Sequence, residues 1–444
     1  MEKTWAEMTP EEKRAKRLEP YFNPTDIKFK SPKAAKQYRE RTRRILKMYM
    51  NETPDRVPVS LPAGNFPLYY AGGDLKKGMY DYQFLRQAYS KFLQDFKDYA
   101  DVMQSPGLIH SGKAMEMIGQ KLLKWPGHGL KDNVNSYQFV EGEYMKADEY
   151  DHLLRDPSDF AFRIQIPRVY EVAKPFAKMQ PYATLLGMTL GFASPFTDPE
   201  IQKAYQTLID AGKEMTRWGQ EIKAFSDEAV AEGFPSLRGG MAVAPFDCIG
   251  DSLRGTQGVI LDMYRQPDKL LAAIDLITPI VIQQGIDNCN ASGGVMVTFP
   301  LHKGDDTFMS DKQFEKFYWP SLKKYADALI AEGIMPVMFA EGRYARRLNY
   351  ISDFPKGWVH WYFDQTDMAV AKKLVGKNCS ISGNIPSSVM CTARPAEVKE
   401  YCRKLIETCA PGGGYMLTGG AGATETNAAN LKVLMEAALE YGVY

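Results

Sequence analysis

The chain has little sulfur to work with: six cysteines in 444 residues, and no Cys-x-x-Cys pair. A disulfide framework is excluded as the organising device for a chain this long and this poor in cysteine. Cys402 and Cys409 stand seven apart on one helical pattern, which is the spacing of core packing. Charge of a single sign is lacking too. Lys and Arg number 55 against 54 Asp and Glu, a formal net of +1, so neither nucleic acid nor a polybasic membrane surface is expected as the main partner. No uninterrupted run of about 18 apolar residues occurs, and no membrane span is expected. The first residues are charged and lack the apolar stretch of a signal peptide, which points to a cytoplasmic protein. There is no internal repeat and no low-complexity linker. Gly64, alone after the first strand-like run, is not the glycine-rich phosphate turn that a doubly wound sheet places there.

What is present is an ordinary globular composition, 45% hydrophobic and 25% charged, in a chain long enough for one large core or two ordinary ones. Three apolar runs each stop at polar residues of reactive type. Residues 294–301 run into His302, Lys303, Gly304, Asp305 and Asp306. Residues 334–340 run into Glu341, Gly342, Arg343 and Tyr344, and residues 358–363 into Asp364, Gln365, Thr366 and Asp367. Between the first two, Phe314, Phe317, Leu322, Tyr325 and Leu329 recur at helical steps. Strand, polar tip, helix, strand is the grammar of β/α units. Further strand-like runs begin at Asp55, Ala100, Tyr182 and Gly239 and centre near 381 and 416. The segment 197–200, Thr-Asp-Pro-Glu, carries the signals that open a long helix. The irregular strand spacing predicts an α/β protein: a (β/α)8 TIM barrel over residues 53–444 with loop insertions, preceded by an N-terminal helical arm over 1–52.

The polar tips supply candidates for chemistry. His302, Glu341 and either His360 or Asp364 come from three successive strand ends. Zinc accepts Glu oxygen and His nitrogen, so His302, Glu341 and Asp364 form a candidate metal set suited to polarising an ether oxygen. The structural alternative is that Glu341 pairs with Arg343, Arg346 or Arg347 and braces loops. His360, inside an apolar run, reads as a hydrogen-bonded core histidine before it reads as a ligand. Asp247 and Arg254, just past a strand, are candidates for a loop closing over the mouth or for an ion pair that orders it. Asn384 ends a strand and carries both a donor and an acceptor. Phe66, Tyr69, Tyr70, Tyr344, Trp361 and Tyr362 fall near strand ends, where they would stack a flat substrate or fill core.

The C-terminal third carries a resemblance. Cys379 through Gly383-Asn384-Ile385-Pro386, then Arg394-Pro395-Ala396-Glu397-Val398, then 412–419 and 430–433, together are similar to the uroporphyrinogen decarboxylase superfamily. So are Asp305-Asp306 with 310–320, Asp101 after a helix, and the start at Arg56-Val57-Pro58-Val59. The resemblance covers roughly residues 53–444. It implies a (β/α)8 barrel and includes corrinoid- and zinc-dependent methyltransferases, among them ether-cleaving O-demethylases. Two departures narrow it. Porphyrinogen decarboxylases follow the first strand with an arginine-bearing loop, whereas residues 62–73 here hold no arginine, and a multiply anionic substrate needs fixed positive charge. Methyltransferase members carry His-x-Cys-Gly on the strand equivalent to 337–342 and a late cysteine. The corresponding positions here read Phe339, Glu341 and the neighbourhood of Gly420, so the thiol-activating zinc site is absent.

The resemblance and the residues together imply an enzyme that moves a methyl group from a small methoxylated, aromatic substrate to a corrinoid on a separate protein. No segment reads as a corrinoid-binding domain, so the cobalamin is expected on that partner. Zinc is the candidate metal and a homodimer the candidate assembly. Glu341, His302 and Asp101, which matches the family's catalytic carboxylate, are the candidate catalytic residues. Asn65, Phe66, Asp247, Arg254, Tyr344, Trp361 and Asn384 are the candidates for substrate contact. The alternative is a carboxy-lyase acting on a substrate less anionic than uroporphyrinogen, and a non-catalytic binding barrel is the third reading.

Overall fold

Each apolar run that stops at a polar tip is a strand, and the strands pair in the order in which the chain makes them. The structure, a computed structural model, describes residues 3–187, 189–422 and 426–444. Six parallel strands follow one another across a single sheet: β1 (Arg238–Met241), β2 (Met296–Leu301), β3 (Met335–Ala340), β4 (His360–Phe363), β5 (Ser380–Ser382) and β6 (Tyr415–Met416). Parallel bridges Val59–Leu417 and Ser60–Val102 add two more positions beyond β6. Sequential parallel strands with helices between them are the order of a (β/α)8 barrel. At the seam, Val102 packs against the cluster that holds Leu237, Val295 and Met335.

Strand alternation separates the two faces. Val297, Phe299 and Leu301 belong to the core under the helices, and the Phe299 ring meets Tyr325 of the outer helix edge-on at 4.7 Å. The intervening Thr298 and Pro300, and His302 beyond them, face the lumen. Register stacks the inward residues in rings: Thr298, Val337, His360 and Ser380 in one, Pro300, Phe339, Tyr362 and Ser382 in the next. His302, Glu341 and Asp364 each follow one strand end above that second ring.

The arm closes the opposite end. Helices α1 (Pro10–Phe22) and α2 (Pro32–Tyr49) bury Leu18, Ile45 and Leu46 against Val295, Met296, Met335 and Val337, at or just before the starts of the strands. The Tyr49 ring meets His360 edge-on at 4.7 Å, and the Tyr49 carbonyl accepts the Ser380 hydroxyl at 3.1 Å. Arg14 lies over Trp358 at 3.8 Å. His360 sits between the hydroxyls of Ser380 and Ser382, at 2.9 and 2.8 Å, as the hydrogen-bonded core histidine the sequence suggested.

Outside the barrel run α3 (Tyr82–Phe96) and α4 (Pro199–Ala231), the latter capped by Asp198 accepting the Glu200 N–H at 2.8 Å. After β1 come α5 (Pro245–Ser252), α6 (Gly255–Arg265) and α7 (Pro267–Ser292). Helix α7 is long and apolar enough to cross a membrane by length and composition alone, with mean hydropathy 1.4. Counting uninterrupted apolar residues misses it because Thr278, Gln283 and Gln284 break the run. It packs against β1 and α8 (Trp319–Ala331). The five residues at helical steps, Phe314 to Leu329, are all buried as expected.

One expected strand is not there. Residues 182–192 form short 3-10 turns, Tyr182–Leu186 and Thr189–Gly191, with Leu186 and Leu190 more than nine-tenths exposed; Met188 lies outside the described residues. A strand needs a neighbour to pair with and a face to bury. This stretch, in the insertion between the Val102 position and β1, has neither, and Pro181, Gly187 and Gly191 punctuate it. The turn expected at 124–129 is in part a strand, Leu123–Pro126, of a small sheet with Gly129–Leu130 and Gln138–Phe139.

Asp101 belongs to the arm's end of the molecule. It is 1% exposed and receives Arg44 at 2.7 Å, Arg56 at 2.7 and 2.9 Å, and the Val59 N–H at 2.9 Å. Arg44, on α2, also holds Asp55 at 2.8 Å. Every oxygen of Asp101 is engaged in joining arm to barrel, so the expectation of a catalytic carboxylate here is corrected to a bracing one. Removing one partner of a buried ion pair costs about 3–5 kcal/mol because the other charge stays behind. Asp101→Ala is accordingly expected to lower the unfolding free energy by that order, measured by chemical unfolding, while ligand binding at the far rim survives in the folded fraction.

Candidate functional site

The first turn of α5 follows β1 directly, and it places Asp247 and Asp251 one helical turn apart on one face. Asp247 is wholly buried. Its two oxygens accept the backbone N–H groups of His302 at 3.0 Å and Lys303 at 3.2 Å, and the Tyr318 hydroxyl at 2.9 Å. Tyr318 reaches it from a π-helical turn, Phe314–Tyr318, that precedes α8; such turns re-aim side chains out of the regular helical row. Asp247 thereby fixes the end of β2. Burial, and the nearby charge of Asp251, push its carboxyl upward from the ordinary range.

Asp251 accepts His302 Nδ1 at 2.6 Å and lies 3.1 Å from the Lys303 ammonium. Lys303, itself buried, also donates to Glu141 at 2.5 Å. Glu141 comes from the insertion and accepts the Thr256 N–H at the start of α6 at 3.1 Å. The Asp251 hydrogen bond holds His302 as imidazolium, pushed up to about 9 against the opposing cost of burial. Its other nitrogen, Nε2, points to Glu341 at 3.9 Å. Glu341 is half-exposed at the rim, and partial burial raises its carboxyl, opposed by His302 and reinforced by Asp364. Gly342, at φ +81°, turns the loop immediately after it where a Cβ would meet Asp305 at 2.7 Å.

His302 and Glu341 are thus brought together as expected, and Glu341 is not locked to an arginine. Arg346 and Arg347 are held by Asp311, and Arg347 also by the carbonyls of Gly304 and Met309. Asp364 is near enough to raise Glu341. Its oxygens are already taken by the N–H groups of Gly342 at 3.2 Å and Ala421 at 3.0 Å, and by the Gln365 amide at 3.3 Å.

The other expected contacts resolve into structure. Phe66 is buried, stacked on Tyr70 and edge-on to Phe92 and Phe96. Trp361 and Tyr344 are fully buried: Trp361 points to the outer core, and Tyr344 donates to the Leu301 carbonyl at 3.5 Å. Arg254 is buried between Asp262, Glu143 and the Met145 carbonyl, which pins the insertion rather than a substrate. Asn384 donates to the Thr366 carbonyl at 2.7 Å. Asn65 holds the Asn135 carbonyl at 2.7 Å, on a loop beside Gly422. Asp251, Glu141 and Tyr318 were not singled out by sequence, and Lys303 was named only as part of a polar tip. The i, i+4 pair of aspartates after a strand was the visible signal; the reach of Glu141 across the insertion had none.

The residues present do not fit the expected zinc site. Structural and catalytic zinc take at least three protein donors. Among the described residues no group of three His, Cys, Asp or Glu side chains stands close enough to hold a metal, and Asp364 has spent its oxygens on N–H donors. What the arrangement offers is a proton: an imidazolium aimed at a carboxylate above the partly exposed Phe339 and Tyr362 rings.

A parallel barrel with titratable groups at its strand ends and a sealed floor is the architecture of a barrel enzyme whose site lies at the C-terminal mouth. The family can be stated as well: residues 220–441 match the uroporphyrinogen decarboxylase (URO-D) family model, and the chain belongs to that family. A comparison with curated proteins finds no match. Among solved structures, the chain is similar to a methyltransferase from Methanosarcina mazei, at 16% identity and TM-score 0.58, over 90% of this chain and 98% of that one.

Asp251→Asn tests the electrostatics directly. The His302 ring proton resonance should titrate near 9 in the parent protein and shift toward the ordinary 6.5 in the variant. Because the folded pKa is raised, the pair's contribution to stability is complete below 6.5 and lost as pH rises through about 9. Urea midpoints across that window should therefore fall in the parent and stay flatter in the variant.

Proposed function

We propose that this protein is a methyltransferase of the ether-cleaving type, taking a methyl group from a small methoxylated aromatic substrate. A reduced corrinoid carried by a separate protein is the nucleophile that accepts the methyl group. The chain's own share is to hold the ether, exclude water and place a proton at the leaving oxygen. The observation that carries this reading is the Asp251–His302–Glu341 line at the lumen rim, with Nδ1 fixed at 2.6 Å and Nε2 left facing Glu341 at 3.9 Å.

The chemistry is matched to the group. A phenolate leaving from an aryl methyl ether has a pKa of about 10, and an imidazolium at about 9 is the stronger acid of the two. Protonation at that oxygen by His302 Nε2 is therefore downhill as the C–O bond breaks. Glu341 orients the imidazolium before transfer, and His302 is left neutral, held by Asp251, once its proton has passed to the phenolate oxygen. Below the rim, Phe339 and Tyr362 lie with ring centroids 4.6 Å apart and tilted by 35°, a surface for an aromatic ring. The similarity to a methyltransferase structure supports the fold on which this rests. The lyase alternative loses its main support with Asp101, which is enclosed by arginines at the other end of the barrel.

His302→Gln is expected to lower methyl transfer by roughly 100- to 10,000-fold, the usual worth of a positioned general acid. The measurement is decay of the cobalt(I) absorbance with reduced corrinoid and a panel of methoxyarenes. In the parent the rate should hold below, and fall above, pH about 9 as the imidazolium is lost. A pH-independent rate, or an unimpaired His302→Gln, would remove the proton-donor role.

A further inference from the structure

The lumen has its own electrostatic signature, separate from the His302 line. On the adjacent strands β3 and β4 the inward positions repeat a pattern: Phe339 and Tyr362 one layer down, Glu341 and Asp364 directly above them. The two rings form a near-continuous wall, with the Tyr362 hydroxyl bound to the Gly420 carbonyl so that its face turns to the lumen. On β1, the neighbour of β2, the residues at the strand end are apolar. Met241 pairs in register with inward-facing Thr298 and is 55% exposed, and Val243 is 38% exposed, while Ala242 and Ala244 between them are buried in the core. Thr298 Oγ1, closed to solvent, has no hydrogen-bond partner among the described residues, one layer below the rings.

The charges around this space do not cancel. The cations His302 and Lys303 are both matched, His302 by Asp251 and Glu341, and Lys303 by Asp251 and Glu141. Asp247 is enclosed and bound by three donors. Glu341 faces the His302 imidazolium at 3.9 Å and Asp364 accepts three N–H donors. Four carboxylates, Asp251, Glu141, Glu341 and Asp364, thus surround two cations, and the last two stand over the two aromatic faces, close enough for Asp364 to raise Glu341. No lysine or arginine occupies an inward strand position on β2 to β5. Arg343, exposed on the following loop, is the nearest further cation in sequence.

Aromatic faces attract cations through the ring quadrupole, and flanking carboxylates deepen the same potential. A carboxylate placed there would meet two like charges, and the fixed cations beside it, His302 and Lys303, are already shared among four carboxylates. We infer that the lumen selects a donor bearing a quaternary or alkylammonium group on its ring, received between the Phe339–Tyr362 wall and the Glu341–Asp364 pair. This rests on the lumen being the donor site of the proposed reaction. Phe339, Tyr362 and Asp364 are the specificity-determining residues it names.

The test is equilibrium binding to the intact protein by calorimetry, with three ring-matched probes: 3-hydroxyphenyltrimethylammonium, its neutral isostere 3-tert-butylphenol, and 3-hydroxybenzoate. The ammonium probe should bind roughly tenfold tighter than the neutral isostere, and the benzoate most weakly. Phe339→Leu should bring the first two within about threefold of each other. Glu341→Gln, at a half-exposed position, serves as a second variant that should also shrink the gap should the lumen change disturb folding. Equal affinities for the ammonium and neutral probes, or tightest binding of the benzoate, would overturn the inference, the latter pointing to Arg343. Absence of methyl transfer from every methoxyarene would instead overturn the proposed reaction and leave the binding order untouched.

Discussion

One buried carboxylate sets the geometry on which the site depends. Asp247 has no solvent contact, yet it gathers two backbone N–H groups from the end of β2 and a hydroxyl from the π-helical turn before α8. Three separate parts of the chain are therefore referred to a single pair of oxygens. A buried acceptor so fully used rigidifies what it touches, because each donor would otherwise pay the full cost of desolvation. The direction in which His302 leaves its strand follows from that constraint, and the rest of the rim is arranged around His302.

The rim then divides its charges by depth. Asp251 and Glu141 neutralise the cations on the helix side, where burial would otherwise penalise them. On the lumen side Glu341, opposite His302, and Asp364 stand above the Phe339 and Tyr362 rings. That division explains why a residue set that looked like a metal cage in one dimension is not one in three. Two of the three named donors are indeed neighbours, but the third satisfies backbone groups of the loops beside it. Proton chemistry needs only the pair.

Much of the fold was legible because strand and helix announce themselves by period. The β2, β3 and β4 runs and their polar tips appear where alternation and turn residues put them, and His302 and Glu341 were readable as residues of reactive type at strand ends. What failed did so for long-range reasons. Asp101 was assigned by its place after a helix, but its role is decided by Arg44, 57 residues away on the arm. Phe66 and Trp361 lie near strand ends in the sequence, yet alternation and helix packing turn both into core. Residues 182–192 have the composition of a strand and no sheet to join. Glu141 acts across 162 residues, through a loop whose path no local pattern specifies.

The helical arm has a further consequence for turnover. With Tyr49 against His360 and Leu18, Ile45 and Leu46 covering the strand starts, the lumen is covered on the arm's side, which leaves the strand-end side for entry. Any macromolecule that caps that side to take up a group also blocks the route by which a small molecule arrives or leaves. On the proposed reaction, traffic would run in sequence: small molecule in, large carrier on, carrier off, spent molecule out. Kinetics of that kind are compulsory-order, and the order is written by the sealed floor.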